Sequence, residues 1–133
     1  MKRRVQQYGY KYSYKFRKVN RSMAIPWDNF LNGINKKISL VTEIISDQVI
    51  INEYLPGQGI GDHVDCIPCF SGMITSLSLC SSCVINFKRR NEEVNYLLEP
   101  RGLLIITGEA RYEWTHGIKS VKKESYLERQ IER

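Results

Sequence analysis

Residues 52–65 have the sequence NEYLPGQGIGDHVD, in which a turn-rich segment leads into a His-x-Asp pair. One proline and three glycines fall between positions 55 and 62, and they predict a loop there rather than a regular element. His63 and Asp65 follow this loop. Residues i and i+2 of an extended chain share one face, so both side chains can point at one metal ion.

A third ligand is available from the only other histidine of the chain, His116. Two imidazoles and one carboxylate leave coordination positions open, which is the arrangement found in non-haem iron(II) oxygenases. The open positions are needed because a cosubstrate and oxygen both bind the metal. Spacing alone also allows the alternative that the two histidines are surface or core side chains that hold no metal.

Short alternating or apolar segments separated by turns predict a mainly β protein. Strands are expected at residues 8–16, 48–54, 73–79, 83–88, 94–98, 103–107 and 111–114. An amphipathic helix is expected from about Pro26 to Ile38, with Asp28 as a start signal. Residues 119–133 are polar and weakly helical in propensity. The pattern predicts a sandwich, barrel or jelly roll, in a single domain of residues 1–133, with the helix packed outside.

Positive charge is concentrated at the N-terminus of this chain, whose net charge is +6. The first 21 residues contain no Asp or Glu. Their basic residues are Lys2, Arg3, Arg4, Lys11, Lys15, Arg17, Lys18 and Arg21. Aromatic residues occupy every second position from Tyr8 to Phe16, which predicts a strand with one aromatic and one basic face. Such a surface is typical of proteins that stack bases and bind phosphates, although an aromatic core row with a solvated basic face also fits.

Four cysteines form two C-x-x-C pairs, Cys66 with Cys69 and Cys80 with Cys83, and such pairs are typical of a zinc ribbon. A strand between them, at about 3.3 Å per residue, would hold the pairs roughly 25 Å apart, too far for one ion. We therefore favour four small, partly buried thiols.

The chain has no signal-peptide core and no apolar run of ~18 residues, so a reducing intracellular compartment is expected, cytoplasm or nucleus.

Together these segments resemble the AlkB family of iron(II)- and 2-oxoglutarate-dependent dioxygenases. The similarity runs in order through residues 52–65, ITSLSL at 74–79, LLIITGEARY at 103–112 and WTHGI at 114–118. YGYKY at 8–12 is similar to the segment that precedes the family's core. The similarity is greatest to the branch with tRNA-hydroxylating members.

The resemblance implies a double-stranded β-helix (jelly-roll) core and a reaction that uses Fe(II), 2-oxoglutarate and O2. It implies that His63, Asp65 and His116 bind the iron. It also implies that Asn52 and Tyr54 hydrogen-bond 2-oxoglutarate.

Substrate recognition is implied for the basic and aromatic residues 1–25, which would form a lid containing Tyr10 and Tyr12. We expect a monomer that hydroxylates or oxidatively demethylates a nucleic acid, RNA or tRNA rather than DNA. The alternatives are a related dioxygenase acting on protein or lipid, and a non-catalytic nucleic-acid-binding derivative of the fold.

Two positions depart from the family pattern. Members have an R-x5-R pair after the last histidine, and its second arginine binds the far carboxylate of 2-oxoglutarate. Arg133 stands about where the first arginine belongs, so the resemblance implies a role for it in binding the cosubstrate. The second arginine and its strand are missing, so we expect a truncated chain, another way of holding the cosubstrate, or an impaired protein. Ile67 stands where some demethylating members have a carboxylate that contacts the damaged base, which favours a different substrate.

Overall fold

The computed structural model describes residues 3–133, so Lys2 of the basic N-terminus lies outside the described residues. Strands account for 47% of the chain and helices for 15%, and the strands pair antiparallel, as in a jelly-roll oxygenase fold. The prediction of a mainly β fold is therefore confirmed. The chain forms two compact units, Arg4–Glu53 and Tyr54–Arg133, the latter including Arg3. Neither helix of the described chain has the length and apolar character that crossing a membrane requires.

The unit Arg4–Glu53 contains one helix and a three-stranded sheet in the order β2-β1-β3. Its elements are β1 (Arg4–Ser13), β2 (Lys18–Ile25), α1 (Asn29–Thr42) and β3 (Gln48–Glu53). The helix begins where the sequence predicts it, because the Asp28 carboxylate accepts a hydrogen bond from the Leu31 N–H at 2.8 Å and caps the first turn. It ends at Glu43, which adopts the left-handed conformation (φ 59°).

Strand β1 begins and ends earlier in the chain than the aromatic alternation predicts, and its partner β2 is irregular. β1 ends at Ser13, and residues 14–17 form a turn. Tyr10 pairs with Ala24 but Lys11 pairs with Asn20, so residues 21–23 bulge out of β2. A bulge of this kind breaks the period-two order of a strand. The predicted strand at 8–16 is therefore wrong at its C-terminal end, and β2 was not predicted.

The unit Tyr54–Arg133 contains a four-stranded sheet, β4-β9-β6-β7, and the strand pairs β5-β8 and β10-β11. The elements are β4 (Ile60–His63), β5 (Ile74–Leu77), β6 (Cys83–Arg89), β7 (Glu92–Leu98), β8 (Leu103–Ile106), α2 (Gly108–Tyr112), β9 (Thr115–Ile118), β10 (Lys123–Tyr126) and β11 (Arg129–Glu132). Ile85, Phe87 and Ile106 form the buried centre of its core. The loop predicted at 55–62 is shorter than expected, since β4 begins at Ile60.

One predicted strand of this unit is wrong, and one segment without a predicted element is a hairpin. Residues 111–114 were expected to be a strand, but α2 runs to Tyr112, and the Glu113 N–H donates to the Glu109 carbonyl at 2.7 Å as in a helix. The segment 119–133, whose propensity is weakly helical and for which no element was predicted, contains the β10–β11 hairpin. Leu127 and Glu128 form its turn with positive φ values of 44° and 63°, the conformation of a tight two-residue hairpin turn.

The cysteines differ from the expected four thiols. Cys66 and Cys69 form a disulfide, whereas Cys80 and Cys83 are free. A C-x-x-C pair can close such a bond because its two Cα atoms lie only 5.2 Å apart in this turn. Within residues 3–133, the grouping of side chains suited to a metal ion contains no cysteine, so the structure gives no support to a zinc ribbon.

Candidate metal centre

The structure brings the three predicted metal ligands together. Ligand atoms of His63, Asp65 and His116 all lie within 4.8 Å of one another, in the described part of the chain. Strand pairing explains the two histidines: His63 at the end of β4 is the register partner of His116 in β9. Asp65 lies in the loop beyond β4 rather than on the strand itself, so its position depends on that loop.

Both imidazoles present Nε2 to the same carboxylate. His63 Nε2 lies 3.5 Å from Asp65 Oδ1, and His116 Nε2 lies 3.6 Å from Asp65 Oδ2. His63 Nδ1 is 2.8 Å from the Gly61 carbonyl oxygen. A proton on Nδ1 can donate to that oxygen, which leaves the Nε2 lone pair directed at the shared site.

His116 is the most buried of the three ligand candidates. Its side chain is 13% exposed, compared with 33% for His63 and 25% for Asp65. The Phe87 ring lies against it, with ring centroids 5.6 Å apart. His116 Nδ1 is buried and finds no hydrogen-bond partner within the described chain. The site therefore opens to solvent on the side of His63 and Asp65.

The pKa values of the three side chains move in directions that follow from their contacts. The hydrogen bond with Asp65 raises the pKa of His63 above its ordinary 6.5. Burial lowers the pKa of His116. Burial alone would raise the pKa of Asp65, but the His63 hydrogen bond and the nearby positive charges lower it below 3.8. At neutral pH the Asp65 carboxylate is therefore ionised and His116 is neutral, as metal binding requires, whereas the raised pKa of His63 means that a metal ion competes with a proton for that imidazole.

The donor set fits Fe(II). Two imidazole nitrogens and one carboxylate converge on one point, and this combination with open positions is the facial triad of non-haem iron oxygenases. The Gly61 carbonyl beside His63 Nδ1 provides the outer hydrogen-bond partner that normally accompanies a metal-bound histidine. The residues present can therefore hold the ion that the sequence predicts.

The residues predicted to bind 2-oxoglutarate belong to different units. Tyr54 is half-buried, and the Arg3 guanidinium lies over its ring, 5.8 Å from the centroid. Asn52 lies on β3 in the other unit, opposite Val5. The roles of Asn52 and Tyr54 toward the cosubstrate stay predictions.

Arg133 is engaged within its own unit. Its guanidinium donates to the carbonyls of Lys119, Val121 (3.4 Å) and Gln58 (2.8 Å), and it lies 4.0 Å from the Glu124 carboxylate. The side chain is 6% exposed. These contacts tie β11 to the loops before β4 and β10; a role toward 2-oxoglutarate stays a prediction.

The two tyrosines predicted to bind substrate lie on β1. Tyr10 is half-buried, whereas Tyr12 is 9% exposed and packs edge-on against Tyr14, with ring centroids 5.0 Å apart. The Gln7 side-chain amide donates a hydrogen bond to the Tyr12 carbonyl and accepts one from the Tyr12 N–H. Their contact with substrate stays a prediction.

Two residues near the site were missed by the sequence analysis. Arg111 was expected on a strand but is buried in α2 and contacts the loop that carries Asp65. Gly117 allows β9 and β4 to approach closely, since a Cβ there would lie 2.9 Å from the Ile60 carbonyl oxygen. A glycine directly after a candidate ligand and inside a strand was the available signal for Gly117.

Comparison with known proteins gives a family for the whole chain. The sequence model described as "2OG-Fe(II) oxygenase superfamily" matches residues 1–133. The chain is 37% identical over 126 residues to the mouse tRNA (carboxymethyluridine(34)-5-O)-methyltransferase ALKBH8, covering 87% of this chain and 18% of that protein. It is 30% identical over 159 residues to the Arabidopsis thaliana alkylated DNA repair protein ALKBH8 homolog, covering 99% of this chain and 46% of that protein.

A further relative is the RNA demethylase ALKBH5 of Xenopus tropicalis, 36% identical over 89 residues, which covers 60% of this chain and 25% of that protein. The chain thus spans less than a fifth of the length of the mouse relative. The sequence resemblance to AlkB-like oxygenases is confirmed by these matches.

Proposed function

The chain belongs to the 2OG-Fe(II) oxygenase superfamily, and from this membership we propose that it hydroxylates or oxidatively demethylates a nucleic acid, with RNA, and tRNA in particular, favoured over DNA. Enzymes of this superfamily use Fe(II), 2-oxoglutarate and O2. The observation that supports the proposal most is the convergence of His63, Asp65 and His116 within 4.8 Å in a chain similar to a tRNA-modifying enzyme and an RNA demethylase.

In this proposal the three side chains bind the iron through two imidazole nitrogens and one carboxylate. When bound, the ion would supply the chemistry that oxidises a C–H bond of the substrate: 2-oxoglutarate loses CO2 and takes up one oxygen atom of O2 to become succinate, and the other oxygen atom enters the substrate. His63 is oriented for binding by the Gly61 carbonyl, and Phe87 shields His116 from solvent. The protein's contribution is to fix these donors and to exclude water from one side of the site.

Charge and aromatic side chains support a polyanionic substrate. The unit Arg4–Glu53 contains eight Lys and Arg against four Asp and Glu. At the turn between β1 and β2, the exposed Phe16 is 66% accessible, and the Lys15 ammonium lies 5.3 Å from the centroid of its ring. Exposed aromatic rings next to cations are suited to stacking on bases and to contacting phosphates. We assign this turn, within the lid segment 1–25, a role in holding RNA.

Substrate-dependent turnover tests the reaction. The protein is incubated with Fe(II), 2-oxoglutarate and O2 together with total tRNA, fragmented mRNA or single-stranded DNA, and both succinate and modified nucleosides are measured. We expect tRNA to raise succinate formation and to gain a hydroxyl group or lose a methyl group as formaldehyde. Turnover should be absent in His116→Ala. Succinate formation that no nucleic acid stimulates would count against the substrate class, and would turn attention to protein or lipid substrates.

Binding at several salt concentrations tests the proposed RNA interaction. The double variant Lys15→Ala, Lys18→Ala removes two cations beside the β1–β2 turn, whereas Lys36→Ala, Lys37→Ala removes two from α1 in the same unit. Removal of one lysine that binds a phosphate lowers the salt dependence of binding by about one unit of slope. We expect the first variant to bind tRNA more weakly with a shallower slope. Equally weakened binding in both variants would show that net charge alone, and not this turn, attracts the RNA.

A further inference from the structure

Arg111 is the largest fully buried side chain of the described protein, with only 2% of its surface exposed. Its guanidinium is satisfied by backbone carbonyls. Arg111 Nη1 donates to the Asp65 carbonyl at 2.9 Å and Nε donates to that of Ser71 at 3.0 Å. Nη2 donates to the carbonyls of Phe70 at 3.3 Å and Cys66 at 3.4 Å. All four acceptors lie in residues 65–71.

Burying an arginine is unfavourable unless its N–H groups are satisfied. Here the planar fork of the side chain matches a turn whose carbonyls point inward, which a lysine ammonium cannot reproduce. The Cys66 carbonyl also accepts the N–H groups of Cys69 and Phe70, each at 3.1 Å. The Cys66–Cys69 disulfide closes the same turn. Residues 65–71 are therefore organised around one buried guanidinium.

This turn begins with a metal-ligand candidate. The carbonyl of Asp65 is bonded to Arg111, while its carboxylate lies 3.5 Å and 3.6 Å from the two imidazoles. Asp65 lies beyond the end of β4, so strand pairing does not fix it as it fixes His63 and His116. The hydrogen bond with Arg111 is what connects the Asp65 backbone to α2.

We propose that Arg111 is a positioning residue for the metal centre: by holding the carbonyls of residues 65–71 it places the Asp65 carboxylate opposite the two histidines before metal arrives. The inference rests on the proposed assignment of these three side chains as metal ligands. Residues that orient a metal ligand from behind commonly contribute a factor of 10 to 100 to metal affinity.

Mn(II) binding to the full chain tests the proposal. Binding is measured as the loss of the electron paramagnetic resonance signal of free Mn(II). Arg111→Lys keeps the positive charge but removes the planar guanidinium group with its several N–H donors. Arg89→Met is the matched control, because Arg89 also ties α2 through Glu109 and Glu113 but makes no contact with residues 65–71 that the structure records. Urea unfolding without metal shows which variants are folded. We expect Arg111→Lys to raise the Mn(II) Kd about tenfold or more and Arg89→Met to leave it unchanged.

A folded Arg111→Lys protein with the wild-type Mn(II) Kd overturns the inference and leaves the proposed metal site intact. Mn(II) binding by wild type that persists in His63→Ala overturns the metal-site assignment, and the inference with it. These two failures are thus distinguishable.

Hydrogen exchange of the metal-free wild-type protein provides a test that needs no variant. If Arg111 holds the turn in advance, the amides of Cys69 and Phe70 exchange slowly without metal. Exchange of these amides as fast as that of an unstructured chain overturns the inference even if Arg111→Lys fails to fold.

Discussion

Replacing Gly117 with alanine should separate the two strands that carry the histidines. Gly117 is buried in β9, where a Cβ would lie 2.9 Å from the Ile60 carbonyl oxygen and 3.0 Å from the Asp62 backbone nitrogen, and would also overlap the Asp62 carboxylate. Two of these three atoms belong to the β4 backbone, so the clash cannot be relieved by rotating a side chain. β4 must move away from β9.

The expected cost follows from this geometry. Forcing an extra methyl into a closely packed position costs about 1–3 kcal/mol. Displacing Asp62 also disturbs its ion pair with Lys88 (2.8 Å), but both side chains are about two-fifths exposed, so this adds little. We therefore expect Gly117→Ala to lower the free energy of unfolding by about 1–3 kcal/mol, and to weaken Mn(II) binding because His63 and His116 no longer face each other.

Urea unfolding of metal-free protein measures the first effect, and Mn(II) titration of the folded variant measures the second. Gly61→Ala is the matched control for stability, since it lies in β4 beside the same site and a Cβ there meets nothing within 4 Å. Its free energy of unfolding should stay at or slightly above the wild-type value. A Gly117→Ala protein as stable as Gly61→Ala would refute the close packing of β4 on β9.

Three further results are expected. The hydrogen bond with Asp65 raises the pKa of His63 above 6.5. Because protons and metal compete for the imidazole, Mn(II) affinity should fall by about tenfold per pH unit below that pKa. Mn(II) titrations that show no change in affinity there would contradict this. Replacing both residues of the Cys66–Cys69 disulfide with serine should lower the free energy of unfolding, measured in urea, by no more than about 2 kcal/mol, since the bond closes a very short loop; a much larger decrease would show that the disulfide does more than close this loop. Iodoacetamide should modify Cys80 faster than Cys83, because Cys80 is exposed whereas burial raises the pKa of the Cys83 thiol; equal rates by mass spectrometry would argue against that burial.

The grouping of His63, Asp65 and His116 was predictable from sequence because few residues of the chain can serve as ligands of this kind. The chain has two histidines, and one of them stands two residues before an aspartate in a segment that resembles the AlkB family. Strand pairing then places His63 opposite His116. Sequence patterns did not show that Asp65 lies beyond the strand, because a strand and an extended loop have the same spacing of side chains over three residues.

The missed features depend on contacts that are distant in sequence. Arg111 is buried because carbonyls some 40 to 46 residues earlier surround it, and a single arginine in a polar segment gives no sign of this. The β10–β11 hairpin turns at Leu127 and Glu128, neither of which is a residue type that marks such turns. Its Ile131 is buried, and the Glu124 carboxylate accepts the Val84 N–H at 2.9 Å. Tertiary contacts thus override the weak helical propensity of this segment.

Anaerobic titration with Fe(II) and 2-oxoglutarate tests the central claim most directly, because chelation of Fe(II) by the keto acid gives a visible metal-to-ligand charge-transfer band. His63→Ala removes one proposed ligand, and Cys80→Ser, at an exposed free thiol, is the matched control. We expect the band in wild type and Cys80→Ser and its loss in His63→Ala. A band that survives in His63→Ala, or that never forms in wild type, would contradict the assignment of this site as an Fe(II)/2-oxoglutarate centre.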